Sequence, residues 1–197
     1  MHTQTIEEAA AILRRGGVGI LPTDTVYGIV ARAADQGAVA RLYALKRRER
    51  KPGTVIAASI EQLLDLGVNA RHLQRVSQWW PGSLSVETPL GPDLSYLHQG
   101  TGRQGFRVVA DERVRRLLEV TGPLVTSSAN QPGEAVAVTV DEAQGYFGDA
   151  VDFYVDGGDR AASQPSTLIR VTDAGIEIIR PGAVRIPPEA LIHSSTA

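Results

Sequence analysis

Gly17-Val18-Gly19-Ile20-Leu21-Pro22-Thr23-Asp24-Thr25-Val26-Tyr27-Gly28 is the stretch around which the rest of the chain is organised. Its first half is an apolar run too short for a helix, and it fits a buried strand. Pro22 has no N–H to give to a ladder and is expected to end that strand. Two threonines, an aspartate and a tyrosine then form a loop closed by Gly28. Polar side chains crowded at the end of a buried strand need partners, from the protein or from a ligand. Spacing alone fits a self-contained Pro-Thr-Asp turn equally well.

Upstream, Thr5-Ile6-Glu7-Glu8 is a capping box that opens a short helix, stopped by Gly16-Gly17. Downstream, Asp35 caps a helix in which Ala38, Val39, Leu42 and Leu45 recur at helical spacing. That helix runs into Lys46, Arg47, Arg48, Arg50 and Lys51, five cations within six positions. The negative end of the helix dipole favours cations there, which accounts for one or two better than for five. Residues 54–58 read as a strand, and Ser59 with Gln62 starts a helix ending near Gly67. Residues 70–80 read as a helix with Leu73, Val76 and Trp80 on one face, broken by Pro81-Gly82. Tryptophan beside a break is read as core.

Further strands are expected at 83–88, 106–109 (carrying Arg107) and 124–126, and a helix at 111–120. Residues 89–102, rich in Gly and Pro, read as the longest loop. Thr139-Val140-Asp141-Glu142 opens another helix, and strands follow at 153–155, 166–171 and 176–180. Asp173-Ala174-Gly175 joins the last two as a hairpin. Residues 187–197 lack apolar periodicity and read as a loose tail. Interleaved elements with an antiparallel end predict an α/β fold, a twisted mixed β-sheet flanked by helices. The expected organisation is one domain over residues 1–197, with its core at about 5–186.

The 197 residues are 43% hydrophobic and 21% charged, as in an ordinary soluble globular protein. No apolar run is long enough to span a bilayer. The N-terminus lacks the pattern of a signal peptide, and a cytoplasmic protein is the expectation. Zero cysteines exclude disulfides and thiolate metal sites. The net charge of −2 argues against indiscriminate nucleic-acid binding, so the local basic cluster suits a small polyanion at least as well as a long one.

Gly100-Thr101-Gly102-Arg103-Gln104-Gly105 matches G-x-G-x-x-G, but the dinucleotide fingerprint needs a preceding strand and a following helix. Here a loop precedes and a strand follows, which excludes a Rossmann site. A Walker A loop and a G-x-S-x-G elbow are also missing, and His2, His72, His98 and His193 lie too far apart for a metal set. What remains is hydroxyls and cations at strand ends: Thr126, Ser127, Ser128 and Asn130 after one strand, Ser166-Thr167 opening another, and Arg180 closing the hairpin. Arg107, inside a strand, is costly unless paired with an anion. Each has a bland reading alone, but together they have the chemistry of a phosphate- and carboxylate-binding cleft.

Pro22-Thr23-Asp24-Thr25-Val26-Tyr27-Gly28, Leu45-Lys46-Arg47-Arg48 with Lys51-Pro52, Trp80-Pro81-Gly82, Ser127-Ser128-Ala129-Asn130 with Gly133, Pro165-Ser166-Thr167 and Arg180-Pro181-Gly182 occur in a telling order. In that order the chain resembles the YrdC/TsaC family, the L-threonylcarbamoyladenylate synthases, in the short single-domain form. The resemblance implies a YrdC-like sheet with a concave basic cleft. It implies that L-threonine, bicarbonate or CO2 and ATP give threonylcarbamoyl-AMP and pyrophosphate. The product would serve N6-threonylcarbamoyladenosine (t6A) modification of tRNA through a downstream threonylcarbamoyl transferase complex, with direct tRNA contact as a further partner. Mg²⁺ would arrive with ATP, held by phosphates rather than by the protein.

By matching position, Thr25, Arg107, Thr126 and Ser166 would contact L-threonine, with Thr23 and Tyr27 shaping the pocket. Arg48, Lys51, Arg103, Ser128, Asn130 and Arg180 would lie along the ATP. No residue would act as nucleophile, and Lys46, Arg48 and Lys51 would stabilise charge. The chain departs from the family pattern at Glu49 (for proline), Gly53 (after Pro52, in a segment one residue shorter), Ser83 and Ser85 (for Pro-x-Thr) and Pro132 (for serine). Two rival readings are an RNA-binding module in tRNA or ribosome maturation and a carbamoyl-adenylate handling domain. The low aromatic content of 5% disfavours stacking on single strands.

Overall fold

The structure, a computed structural model, describes residues 3–162 and 164–191. The capping box forms as expected at α1 (Ile6–Arg14): the Thr5 hydroxyl accepts from the Glu8 N–H, and the Glu8 carboxylate accepts from the Thr5 N–H at 2.8 Å. β1 (Gly19–Pro22) then turns through Thr23 to Val26 into β2 (Tyr27–Arg32). The pair is antiparallel, with Pro22 opposite Tyr27 as its last rung. Pro22 ends the strand as expected. One correction follows: the polar loop ends at Val26, because Tyr27 and Gly28 open a strand that the spacing did not predict. The Thr23 hydroxyl makes the turn by donating to the Val26 carbonyl at 2.7 Å.

Asp35 caps α2 (Gln36–Leu45), accepting from the Ala38 N–H at 2.9 Å. β3 (Thr54–Ala57) and α3 (Ile60–Asp65) follow. The helix expected over 70–80 is two pieces, α4 (Ala70–Gln74) and a 3₁₀ turn at Ser77–Trp79. The Ser77 hydroxyl donates to the Gln74 carbonyl at 3.1 Å, a local bond that competes with helix continuation. Trp80 is core, its indole N–H donating to the Leu84 carbonyl at 2.7 Å.

β4 (Leu84–Pro89) leads into a segment more ordered than the expected long loop, with a 3₁₀ turn at Pro92–Leu94 and α5 (Ser95–His98). Pro92 is tolerated at a helical start, and His98 Nδ1 folds the segment back by accepting from the Gly102 N–H at 3.0 Å. β5 (Arg103–Val108), α6 (Glu112–Thr121, capped by Asp111), β6 (Leu124–Ser128), α7 (Val140–Phe147) and β7 (Phe153–Tyr154) come next. β8 (Thr167–Thr172) and β9 (Gly175–Arg180) form the expected hairpin. The expected tail is partly ordered: Pro188–Ala190 is a 3₁₀ turn and Leu191 bridges Ile176, while residues 192–197 lie outside the described residues.

Among the described residues, nine strands make one sheet in the order β7-β1-β2-β6-β3-β5-β4-β8-β9. β1–β7, β3–β5 and β4–β8 are parallel and the other pairs antiparallel, so the sheet is mixed. Side chains alternate between its two faces. Ile29, Ala31, Val55 and Ala57 share one buried cluster with residues of α2, α4 and α7, whereas Val30 and Ile56 belong to a second with residues of α1 and α6. Burying each such Val, Leu or Ile contributes about 1.5–3 kcal/mol. Among the described residues no helix is long and apolar enough to cross a membrane.

Candidate active site

The β1–β2 turn, β5, the end of β6 and the starts of β8 and the 165–166 segment surround a cavity of about 360 Å³. A second cavity of about 440 Å³ lies beside it, along the cationic segment after α2 and the loop after β6. Arg48 and Ser128 line both, so the two share a wall.

Thr23, Thr25, Arg107, Thr126, Ser166 and Arg180 all line the first cavity. The Thr23 hydroxyl is largely spent on the turn, and it meets the Thr25 hydroxyl at 3.1 Å. Thr23 builds the expected turn, and Thr25 lines the cavity beside it. Ser166 and Ser85 share a hydroxyl–hydroxyl bond of 2.9 Å, and Arg180 donates to the Ser166 carbonyl at 3.0 Å. The side-chain oxygens of Thr126 and Ser127 are enclosed without a protein partner. Such groups are rare in folded proteins and call for a ligand or water.

Arg107 has a counter-ion that the spacing did not reveal. Its guanidinium lies 2.9 Å from the Asp24 carboxylate, and each side chain is 5% exposed. Burial pushes the Asp24 carboxyl above its ordinary value, and the Arg107 charge pulls back against it. Burial likewise lowers Arg107, opposed by Asp24 and assisted by the nearby Arg180 charge. The rule that a charge inside a strand needs an anion pointed to such a partner, and Asp24 stood in the opening stretch without a role. Arg107 Nε keeps no hydrogen-bond partner.

Lys46, Arg48, Lys51, Ser128 and Asn130 line the second cavity, with Pro132 and Gly133. Lys46 is buried, and its ammonium donates to the Ser128 carbonyl at 2.7 Å, to the Asn130 side-chain oxygen at 2.9 Å and to the Asn130 carbonyl. The Ser128 hydroxyl donates to that same Asn130 side-chain oxygen at 2.7 Å. All three ammonium protons thus serve the 128–130 loop. Burial, then the Arg48 charge, lowers the lysine to about 8.

Two expected site residues lie elsewhere. Tyr27 lines neither cavity; its hydroxyl donates to the Gly158 carbonyl at 2.9 Å and accepts from the Gly157 N–H at 2.7 Å, pinning that segment. Arg103 lines neither cavity, and one of its terminal nitrogens is enclosed without a partner. Among the described residues no three His, Asp or Glu side chains gather to hold a metal.

The Sua5/YciO/YrdC family model, described as telomere recombination, matches residues 11–182. The chain belongs to this family. The threonylcarbamoyl-AMP synthase of Stutzerimonas stutzeri (strain A1501) is 37% identical over 184 residues, covering 89% of this chain and 96% of that protein. The crystal structure of P. abyssi Sua5 complexed with L-threonine is similar with a TM-score of 0.81 at 29% identity, covering 90% of this chain and 54% of that one. This chain thus spans about half the length of Sua5. E. coli YciO, at 24% identity, shares the fold with a TM-score of 0.81 over 93% of this chain and 91% of its own. The mixed sheet flanked by helices, expected from the sequence, is the fold of these family structures.

Proposed function

We propose that the protein is an L-threonylcarbamoyladenylate synthase, converting L-threonine, bicarbonate or CO2 and ATP to threonylcarbamoyl-AMP and pyrophosphate. One observation carries this reading: a cavity holding Arg107 and unpartnered hydroxyls shares the Arg48–Ser128 wall with a cavity lined by Lys46, Arg48 and Lys51. The first suits an amino-acid carboxylate and hydroxyl. The second suits a polyphosphate. The family membership and the named relatives support the same reading.

In this reading Arg107 takes the threonine carboxylate, and Thr25, Thr126 and Ser166 supply hydrogen bonds around the amino acid. The threonine amine joins CO2 as a carbamate, whose oxygen then attacks the α-phosphorus as the bond to pyrophosphate breaks. That displacement requires alignment and charge stabilisation rather than a protein nucleophile. Arg48 and Lys51 would draw charge from the leaving pyrophosphate, while Lys46 holds Ser128 and Asn130 in place. Mg²⁺ enters as part of the Mg-ATP substrate. The adenylate would pass, in the cytoplasm, to a transferase complex that modifies tRNA.

The test is pyrophosphate release with ATP, Mg²⁺, bicarbonate and L-threonine. Release that requires both threonine and bicarbonate is expected. Release independent of threonine, or none, would overturn the proposal.

A further inference from the structure

The G-x-G-x-x-G stretch has no Rossmann role, yet its borders are fastened to the cationic segment. Gln99, immediately before it, accepts from the Lys51 N–H at 2.7 Å and donates to the Arg48 carbonyl at 2.9 Å. Gln104 donates to the Gly53 carbonyl at 2.6 Å. The Tyr43 hydroxyl donates to the Leu97 carbonyl at 2.6 Å and accepts from the Gly53 N–H at 3.1 Å. Tyr43 and Gln104 fix the end of the segment. Among the described residues, the backbone of its middle is reached from outside by the Tyr43 carbonyl, which accepts from the Arg48 N–H at 3.1 Å, and by the Gln99 side chain, the one of the two that ties Arg48 to Lys51.

The backbone there is strained. Among the described residues, the non-glycine residues with positive φ are Arg47 (46°), Arg50 (53°) and Gln99 (49°). Each costs on the order of 1–3 kcal/mol unless its surroundings impose it. All of them belong to this one clamp. Five nearby cations also repel one another, which works against the compact segment; within it, the Arg48 side chain donates to the Lys51 carbonyl at 3.3 Å. The residues whose backbone Gln99 grips, Arg48 and Lys51, are the ones whose side chains line the second cavity.

We propose that Gln99 is a positioning residue that holds the Arg48–Lys51 segment in its polyphosphate-receiving posture. The inference rests on the nucleotide reading above. A carboxamide is suited to the task because it accepts and donates from one group, tying the two backbone sites together.

Two variants test it. Gln99→Asn keeps the carboxamide and tolerates a left-handed backbone, but it is one methylene too short to span both sites. Gln99→Glu keeps the length and the acceptor but loses the donor to Arg48. Affinities for ATP, tripolyphosphate and L-threonine are measured by calorimetry, amide exchange at Lys51 by NMR, and melting temperature as a fold control. In both variants ATP and tripolyphosphate binding should weaken about tenfold, the scale of one net hydrogen bond. Lys51 exchange should accelerate, with threonine affinity and melting temperature retained. Unchanged polyphosphate affinity in the variants, or an equal loss for threonine, overturns this inference alone. A wild-type protein that binds neither ATP nor tripolyphosphate overturns it together with the nucleotide reading.

Discussion

Arg107 meets a cavity on one side and Asp24 on the other. Removing one partner of a buried ion pair strands the other and costs about 3–5 kcal/mol, whereas removing both is often far milder. Arg107→Ala should therefore lose roughly that much stability in urea unfolding, and Arg107→Ala with Asp24→Ala should regain part of it. The single variant should also lose L-threonine affinity while keeping ATP affinity; equal losses of both would sink the carboxylate assignment. Lys46 gives a prediction in pH. Below about 8 its ammonium satisfies all of its oxygen partners, and above that value it loses a proton and its charge. ATP affinity should accordingly fall as pH rises through about 8. In Lys46→Met the affinity should be low throughout and without that step. A wild-type profile flat across this value would refute the role given to the lysine.

At the scale of elements, Thr126 is approached by glycines on two neighbouring strands or their leads. A Cβ on Gly28 would stand 2.4 Å from the Thr126 hydroxyl, and one on Gly53 would stand 2.5 Å from the Thr126 carbonyl. The departure at Gly53 thus has a steric reason here: no side chain fits between β3 and β6 without moving one of them. Gly53→Ala should destabilise the fold by about 1–3 kcal/mol, as overpacking does, read from the urea midpoint. Gly28→Ala collides with a side chain that can rotate, so it should weaken L-threonine binding with little change in that midpoint.

Elements set by local rules were legible in the sequence: the caps at Thr5, Asp35 and Thr139, and the hairpin at Asp173-Ala174-Gly175. β2 was not, because Gly28-Ile29-Val30-Ala31 is buried on both faces and shows no alternation, so nothing separated it from the loop before it. The α4 break goes with the bond that the Ser77 hydroxyl donates to the Gln74 carbonyl, and α5 is held by bonds that His98 Nδ1 and the Leu97 carbonyl accept from Gly102 and Tyr43, none of which periodicity shows. The candidate site followed the same division. Thr25, Thr126, Ser128, Ser166 and Arg180 stood out as polar groups at strand ends. The Asp24–Arg107 pair and the Gln99 clamp join residues far apart in the chain, and spacing carries no trace of them. Tyr27 and Arg103 lay in the right stretches but line neither of the two cavities.

For the whole molecule, ligand and fold are coupled, since the cavities exist only in the native sheet. ATP at about 100 times its Kd would add about 2.7 kcal/mol to the folded state. For a chain of this size that corresponds to a melting temperature higher by roughly 5–10 °C. No shift at saturating ATP would speak against the second cavity as its site.

The strand order has a consequence for how the protein comes into being. β1 and β2 are translated well before their outer neighbours β7 and β6, and β4 waits for β8. Pairings between distant segments form slowly, because loop closure precedes any reward from contact. The turn bearing Thr25 is thus translated long before Ser166 and Arg180 reach the opposite wall. A nascent chain stopped before Pro165 would lack the Pro165, Ser166, Leu168 and Arg180 wall of the first cavity and leave β4 as an unpaired strand edge, a surface prone to aggregation. The cavity thus closes only once β8 and β9 have joined β4, so an intact cavity reports a fully assembled sheet.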